Sequence, residues 1–123
     1  MWISNAGVAD WFFVLARTNP DPNARVSETL STFIVERDWN GVSVSPKEWM
    51  MGQRCSDTRG MTFNSVYVPM ANRVGREDEG FAIAMSTFNT SRPSVAAAAI
   101  GLARRPINQI NDQFKRNRKL DPK

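Results

Sequence analysis

The stretch EGFAIAMSTFNTSRPSVAAAAIGLARRPINQINDQF, residues 79–114, divides the chain in two. Within it Phe81, Ala84, Met85 and Phe88 recur at helical spacing, and an alanine-rich run of high helix propensity follows. A long helix, or two in line, is therefore expected from Glu79 onward. Pro93 is expected to kink that helix or mark a start, because proline lacks an amide donor and clashes with the preceding turn. Pro106 in a helix interior costs roughly 3 kcal/mol, so a break or bend near Arg105 is expected.

Upstream the grammar is different. WFFVLAR (11–17) is an aromatic and β-branched run that ends at TNPDPNARVSE, a loop by its prolines and its Asn/Asp cluster. TFIVE (32–36) is followed by the Asn-Gly turn of WNG (39–41) and by VSVS (42–45), which alternates with a period of two; the pair reads as a hairpin. MTFNSVYVP (61–69) alternates again, and one strand is expected up to Pro69. Strands first and one long helix after them make an α+β chain, and 123 residues allow one domain at most.

Hydrophobic residues at 41% and charged residues at 23% place the chain among globular proteins. It has no histidine, which removes Ser-His-Asp and Cys-His nucleophile systems and the commonest metal ligand; no metal site is expected. Cys55 is alone, so no internal disulfide forms, and it is expected to be a strand-packed thiol in a reducing compartment. The methionines at 50, 51, 61 and 85 are expected as core filler. SVAAAAIGLA (94–103) is about half the ~20 residues that span a bilayer, and the first residues resemble neither a secretory signal nor an Arg-rich presequence. The net charge of +4 gathers at the end, in Arg104, Arg105, Lys115, Arg116, Arg118, Lys119 and Lys123. With one aromatic, Phe114, and no nucleic-acid motif, this tail reads as a solvated helix end rather than a nucleic-acid surface. In GQRCSDTRG (52–60), Arg54, Asp57 and Arg59 read as a turn whose arginines pair nearby carboxylates.

Taken in order, MWISNAG, WFFVLART, TFIVE, GQRCSDTRG, TFNSVYVP, the Gly-Phe of EGF and the SRP before the alanine helix resemble the middle of an acyl-CoA dehydrogenase, over roughly residues 1–105. Within that family the blocks are most similar to enzymes of medium-chain substrates. The resemblance implies an α+β fold: an incomplete middle β-barrel or orthogonal-sheet domain over 1–78, then, over 79–123, the first helix of a C-terminal helical domain with a divergent basic tail. It also implies that the chain starts inside a domain, that an N-terminal helical domain and the first barrel strands are absent, and that the glutamate removing the α-proton lies outside this chain. No residue here is then catalytic.

The family reaction takes a proton from the α-carbon of a fatty acyl thioester and passes the β-hydrogen with its electron pair to N5 of FAD, leaving a trans double bond. Trp2 and Ser4 match the family's Trp-x-Thr/Ser pair, which implies an indole beside the isoalloxazine and a hydroxyl near N5, with Ile3 adding backbone contacts. Asn89, Ser91 and Arg92 fall on the Phe-Asp-x-Thr-Arg-Pro motif that reaches acyl-CoA, with Asn89 in place of the aspartate. Ser27 sits where the family has a small polar residue near the CoA. Arg118 and Lys119 echo an Arg-Lys pair, but no Phe-Gly follows, so no flavin role is carried to them. Implied partners are a fatty acyl-CoA, electron-transfer flavoprotein as acceptor and three further subunits of a homotetramer. The implied compartment is the mitochondrial matrix, or the cytoplasm in a bacterium. The alternative is a non-catalytic, degenerate domain that serves as an interaction module.

Overall fold

A computed structural model describes residues 1–120 of the chain. By internal contact it divides into two compact units, Met1–Ala84 and the stretch from Met85 onward.

The first unit holds six strands in two antiparallel sheets, so no closed barrel forms among the described residues. The strands are β1 (Trp2–Ser4), β2 (Trp11–Arg17), β3 (Leu30–Glu36), β4 (Val42–Lys47), β5 (Thr58–Phe63) and β6 (Arg73–Val74). One sheet has the order β1-β5-β4 and the other β2-β3-β6. This, with one long helix after it, is the expected α+β class.

β2 and β3 pair along their whole length, from Trp11 opposite Glu36 to Arg17 opposite Leu30. The cross-strand pair Phe12 and Val35 lies at 7% and 3% exposure, an aromatic on a β-branched neighbour, and burial of such side chains stabilises by about 1.5–3 kcal/mol each. The opposite face of β2 leaves Trp11, Phe13 and Leu15 exposed. In the other sheet β4 carries an irregularity between Val44 and Lys47, where Pro46 has no amide to offer the ladder. The Ser45 hydroxyl takes the place of a ladder acceptor there, receiving the Gly60 N–H at 2.8 Å.

The helix α1 (Gly80–Leu120) begins against β2 and β3. The Thr18 hydroxyl donates to Asp78 Oδ1 at 3.0 Å, Ser31 Oγ lies 2.7 Å from Thr18 Oγ1, and Ser31 Oγ accepts the Asp78 N–H at 2.8 Å. Because the one proton of the Thr18 hydroxyl goes to the carboxylate, Ser31 is the donor of that pair. This clasp holds Asp78 at φ +63° and delivers Gly80 into a site where a Cβ would lie 2.7 Å from the Leu30 carbonyl oxygen and 2.8 Å from Leu15 Cδ1.

Several expectations are corrected. The WNG turn does not close a hairpin: β3 and β4 belong to different sheets, and β4 pairs with β5. Gly41, at φ +91°, turns the chain out of one sheet and into the other, and its carbonyl accepts the Asn64 N–H at 2.8 Å. The expected strand over 61–69 ends at Phe63, because Ser65 enters the left-handed region at φ +52°. Met51 is 97% exposed and fills no core. Pro106 does not break the helix, which runs unbroken with both prolines inside it. The carbonyl that a proline deprives lies four residues earlier, at Leu102, an exposed residue, and the alanine-rich stretch before it favours helix. Residues 121–123 of the expected tail lie outside the described residues, among which no helix is long and apolar enough to cross a membrane.

Two glycines test the packing. Gly80→Ala is expected to destabilise by about 1–3 kcal/mol through overpacking. Gly101→Ala, in open space within the helix, is expected to stabilise by about 0.5–1 kcal/mol. Urea midpoints moving in opposite directions check both.

Candidate functional site

β1 is three residues long and lies at the edge of its sheet, with β5 as its one neighbour. Strand alternation puts the side chains of Trp2 and Ser4 on one face, roughly 7 Å apart, and Ile3 on the other. Trp2 is 77% exposed, Ser4 is exposed and Ile3 is half-buried. Ladder bonds run from Met61 N–H to the Met1 carbonyl at 3.3 Å and from Asn5 N–H to the Asp57 carbonyl. Antiparallel alternation therefore makes Ile3 and Arg59 the bonded pair between them and aims the N–H and C=O of Trp2 and Ser4 at the open edge. The backbone contacts available to a ligand there belong to residues 2 and 4, while Ile3 anchors the strand.

The edge thus offers an exposed indole plane, a hydroxyl that donates and accepts, and two free peptide groups on one short strand. That donor set fits a planar, apolar-faced ring system with polar atoms along one rim, which is the chemistry of an isoalloxazine.

A tight turn holds the far end of β1 in place. Asn5 sits at φ +64°, and its carbonyl accepts from Val8 N–H at 3.0 Å and Ala9 N–H at 2.9 Å, closing the chain over fully buried Ala6. At the turn's centre the Gly7 N–H donates to Asp57 Oδ2 at 2.6 Å, and the Gly7 carbonyl accepts from Arg37 Nη1 at 2.7 Å. Asp57 Oδ1 in turn receives Arg59 Nε at 2.9 Å. The Arg59 guanidinium bonded to Asp57 is the main reason its carboxyl stays below the usual carboxylate range; burial opposes this, and the Gly7 amide adds to it. The expected pairing of an arginine with Asp57 is present, but the link to Gly7, 50 residues away, carries no local signal in the sequence.

The other residues singled out from the sequence lie elsewhere. Ser27 is exposed on the 3-10 turn Val26–Glu28. Asn89, Ser91 and Arg92 are exposed on α1, in the second unit. There Arg92 Nη1 reaches Asn89 Oδ1 at 3.5 Å, and its guanidinium carbon stands 5.8 Å from the centre of the Phe88 ring. Ser91 Oγ donates to the Phe88 carbonyl at 3.3 Å, which leaves its lone pairs for a ligand. Pro93 lacks an N–H, so the Asn89 carbonyl has no i+4 donor within the helix. Cys55 is exposed in the β4–β5 connection rather than packed in a strand. A hollow of about 510 Å³ lined by Asp38, Trp39, Asn40, Ser65, Tyr67 and Pro69 includes none of these residues. Among the described residues no three His, Cys, Asp or Glu side chains gather as metal ligands.

Residues 1–66 match the family model "acyl-CoA dehydrogenase, middle domain", and residues 78–121 match "acyl-CoA dehydrogenase, C-terminal domain". The chain is 47% identical over 108 residues to a probable medium-chain specific acyl-CoA dehydrogenase 2, mitochondrial, of Caenorhabditis briggsae, covering 88% of this chain and 26% of that protein. Among solved structures it is similar to the glutaryl-coenzyme A dehydrogenase glutaryl-CoA complex, at 34% identity and a TM-score of 0.75, over 84% of this chain and 25% of that one. It is also similar to an acyl-CoA dehydrogenase complexed with FAD from Bacillus anthracis, at 38% identity and a TM-score of 0.65, over 74% of this chain and 14% of that one. The chain thus spans about a quarter or less of the length of these relatives.

The depressed Asp57 carboxyl has a consequence for acid stability. A group whose folded pKa lies below its unfolded value stabilises above the unfolded value, about 3.9, and that stabilisation is lost as pH falls through the folded pKa. Asp57→Asn is therefore expected to be less stable than the native chain at pH 6, with the gap closing as pH falls below about 4. Thermal unfolding across that range reads it.

Proposed function

The chain belongs to the acyl-CoA dehydrogenase family, and from that membership we propose that it forms part of an FAD-dependent enzyme that introduces an α,β double bond into medium-chain fatty acyl-CoA in β-oxidation. The observation that carries the reading is the exposed Trp2 and Ser4 pair on the open edge of β1. FAD, when bound, supplies the two-electron acceptor for the β-carbon.

The chain's own residues bind and orient. Trp2 forms an aromatic wall that keeps water from the ring, the Ser4 hydroxyl donates a hydrogen bond near N5, and the outward peptide groups of Trp2 and Ser4 meet the polar rim. Ile3 fixes the strand against Arg59. On α1, Asn89, Ser91 and Arg92 are the residues assigned to polar groups of the thioester's pantetheine or nucleotide portion. By the resemblance alone, Ser27 of the first unit is also assigned to CoA. Asn89 keeps a hydrogen-bonding carbonyl without the charge of an aspartate, which weakens its grip on amide and hydroxyl donors. No residue of this chain is assigned the α-proton; that base is a glutamate contributed from outside the matched blocks. Loss of a general base alone forfeits a factor of about 10²–10⁴, so these residues by themselves are expected to give no detectable turnover. Electron-transfer flavoprotein is the proposed acceptor for the whole enzyme, a homotetramer of the mitochondrial matrix or, in a bacterium, of the cytoplasm.

The described side chains from Ser86 to Arg118 are all exposed, including Val95, Ile100, Ile107 and Phe114, and this favours a second reading: a non-catalytic module that lends its helix to a partner. Titration with FAD separates the two. The dehydrogenase reading expects a perturbed visible flavin band, Trp2→Ala weakening the affinity by about tenfold, and no turnover of octanoyl-CoA with an artificial electron acceptor. A flavin band that the chain leaves unchanged favours the module.

A further inference from the structure

We infer that Asp57 is a positioning residue for the Trp2–Ser4 face, acting through the Gly7 peptide. The inference rests on the reading of that face as the flavin wall.

An edge strand of three residues with one neighbour has little to fix its level or twist, so its ends decide where it lies. At the Asn5 end, the Asp57 residue makes both connections. Its carbonyl takes the Asn5 N–H and its carboxylate takes the Gly7 N–H, so main chain and side chain of one residue grip the two sides of the turn. The second carboxylate oxygen is bound to Arg59, whose backbone lies opposite Ile3 in the ladder. The carboxylate therefore ties the turn after β1 to the residue that registers the middle of β1.

A side chain at position 7 would have to push the Asp57 carboxylate and the Arg59 guanidinium aside. A Cβ on Gly7 would stand 2.5 Å from Asp57 Oδ2, against Arg59 Nε and 2.7 Å from Arg59 Cζ. From the other side, Arg37 holds the Gly7 carbonyl at 2.7 Å. With its carboxylate 15% exposed, Asp57 works from beneath the turn, and nothing places it in contact with a ligand on the Trp2 face.

The test compares native chain, Asp57→Ala, Asp57→Asn and, as a control, Thr32→Val, which removes the buried bond from Thr32 Oγ1 to the Val74 carbonyl at 2.7 Å in the other sheet. Residue-resolved amide hydrogen exchange reads β1 with no ligand present. In Asp57→Ala, protection at Ile3 and Asn5 is expected to fall by about tenfold or more while Phe33 and Val35 in β3 change by less than about twofold. Asp57→Asn, which keeps an acceptor for Gly7, is expected to fall between, and it replaces the alanine variant if that one does not fold. Thr32→Val is expected to show the reverse pattern. With FAD added, the Asp57 variants are expected to lose affinity in step with their Ile3 protection, and Thr32→Val is expected to retain it. Unchanged β1 protection, or equal loss in both sheets, overturns the positioning role. A native chain that leaves the flavin band unperturbed defeats the flavin reading alone, because the exchange comparison does not depend on it.

Discussion

The backbone of Gly7 joins the two halves of the β unit: its N–H is held by Asp57 next to β5, and its carbonyl is held by Arg37 just past β3. The sheets share no strand, so their relation depends on such loop contacts. The bonds from Arg37 N–H to the Asp10 carbonyl at 2.8 Å and from the Asn72 amide to the Ile34 carbonyl at 3.2 Å stay within the β2-β3-β6 sheet, which leaves the Gly7 contacts to reach across to β5. A buried peptide group satisfied on both sides is inexpensive, while one left unpaired costs about 1–3 kcal/mol, so the turn has one arrangement in which all its polar groups are met.

The small apolar core makes this dependence sharper. Phe12, Val35, Ala6 and Ala84 are buried, while Trp2, Trp11, Trp49 and Tyr67 lie largely open. Polar side chains carry much of the specification instead. Thr29, Ser31 and Thr32 are nearly inaccessible, and each has its hydroxyl in a hydrogen bond. A fully satisfied polar cluster fixes one geometry more strictly than the same area of apolar contact, because its bonds are directional.

Local chemistry in the sequence revealed the elements whose causes are local. The aromatic and β-branched run at 11–17, the proline-rich loop after it and the helix from Glu79 are each written in consecutive residues. Partner choice is not. WNG signals a turn, but its sequence does not say which strand comes next in the ladder; Gly41 and Asn64, distant in sequence, decide that. Proline rules misjudged position 106, which lies on an exposed stretch of helix preceded by an alanine-rich run. Of the candidate site, the alternation of Trp2 and Ser4 was legible from their spacing, and the chemistry assigned to them came from the resemblance of ordered blocks. The clamp beneath them was not legible, since Asp57 and Gly7 meet only in three dimensions.

The separation between those two residues also orders events in time. The helix needs only contacts within a turn or so, and β2 finds β3 across one loop, whereas β1 waits for the closure of a segment of 50 residues. By sequence separation alone, the edge that carries Trp2 is expected among the last parts of the β unit to assemble and among the first to fray. A molecule that seats on it would meet a strand still exchanging between docked and frayed states, and part of its binding energy would go into completing the fold.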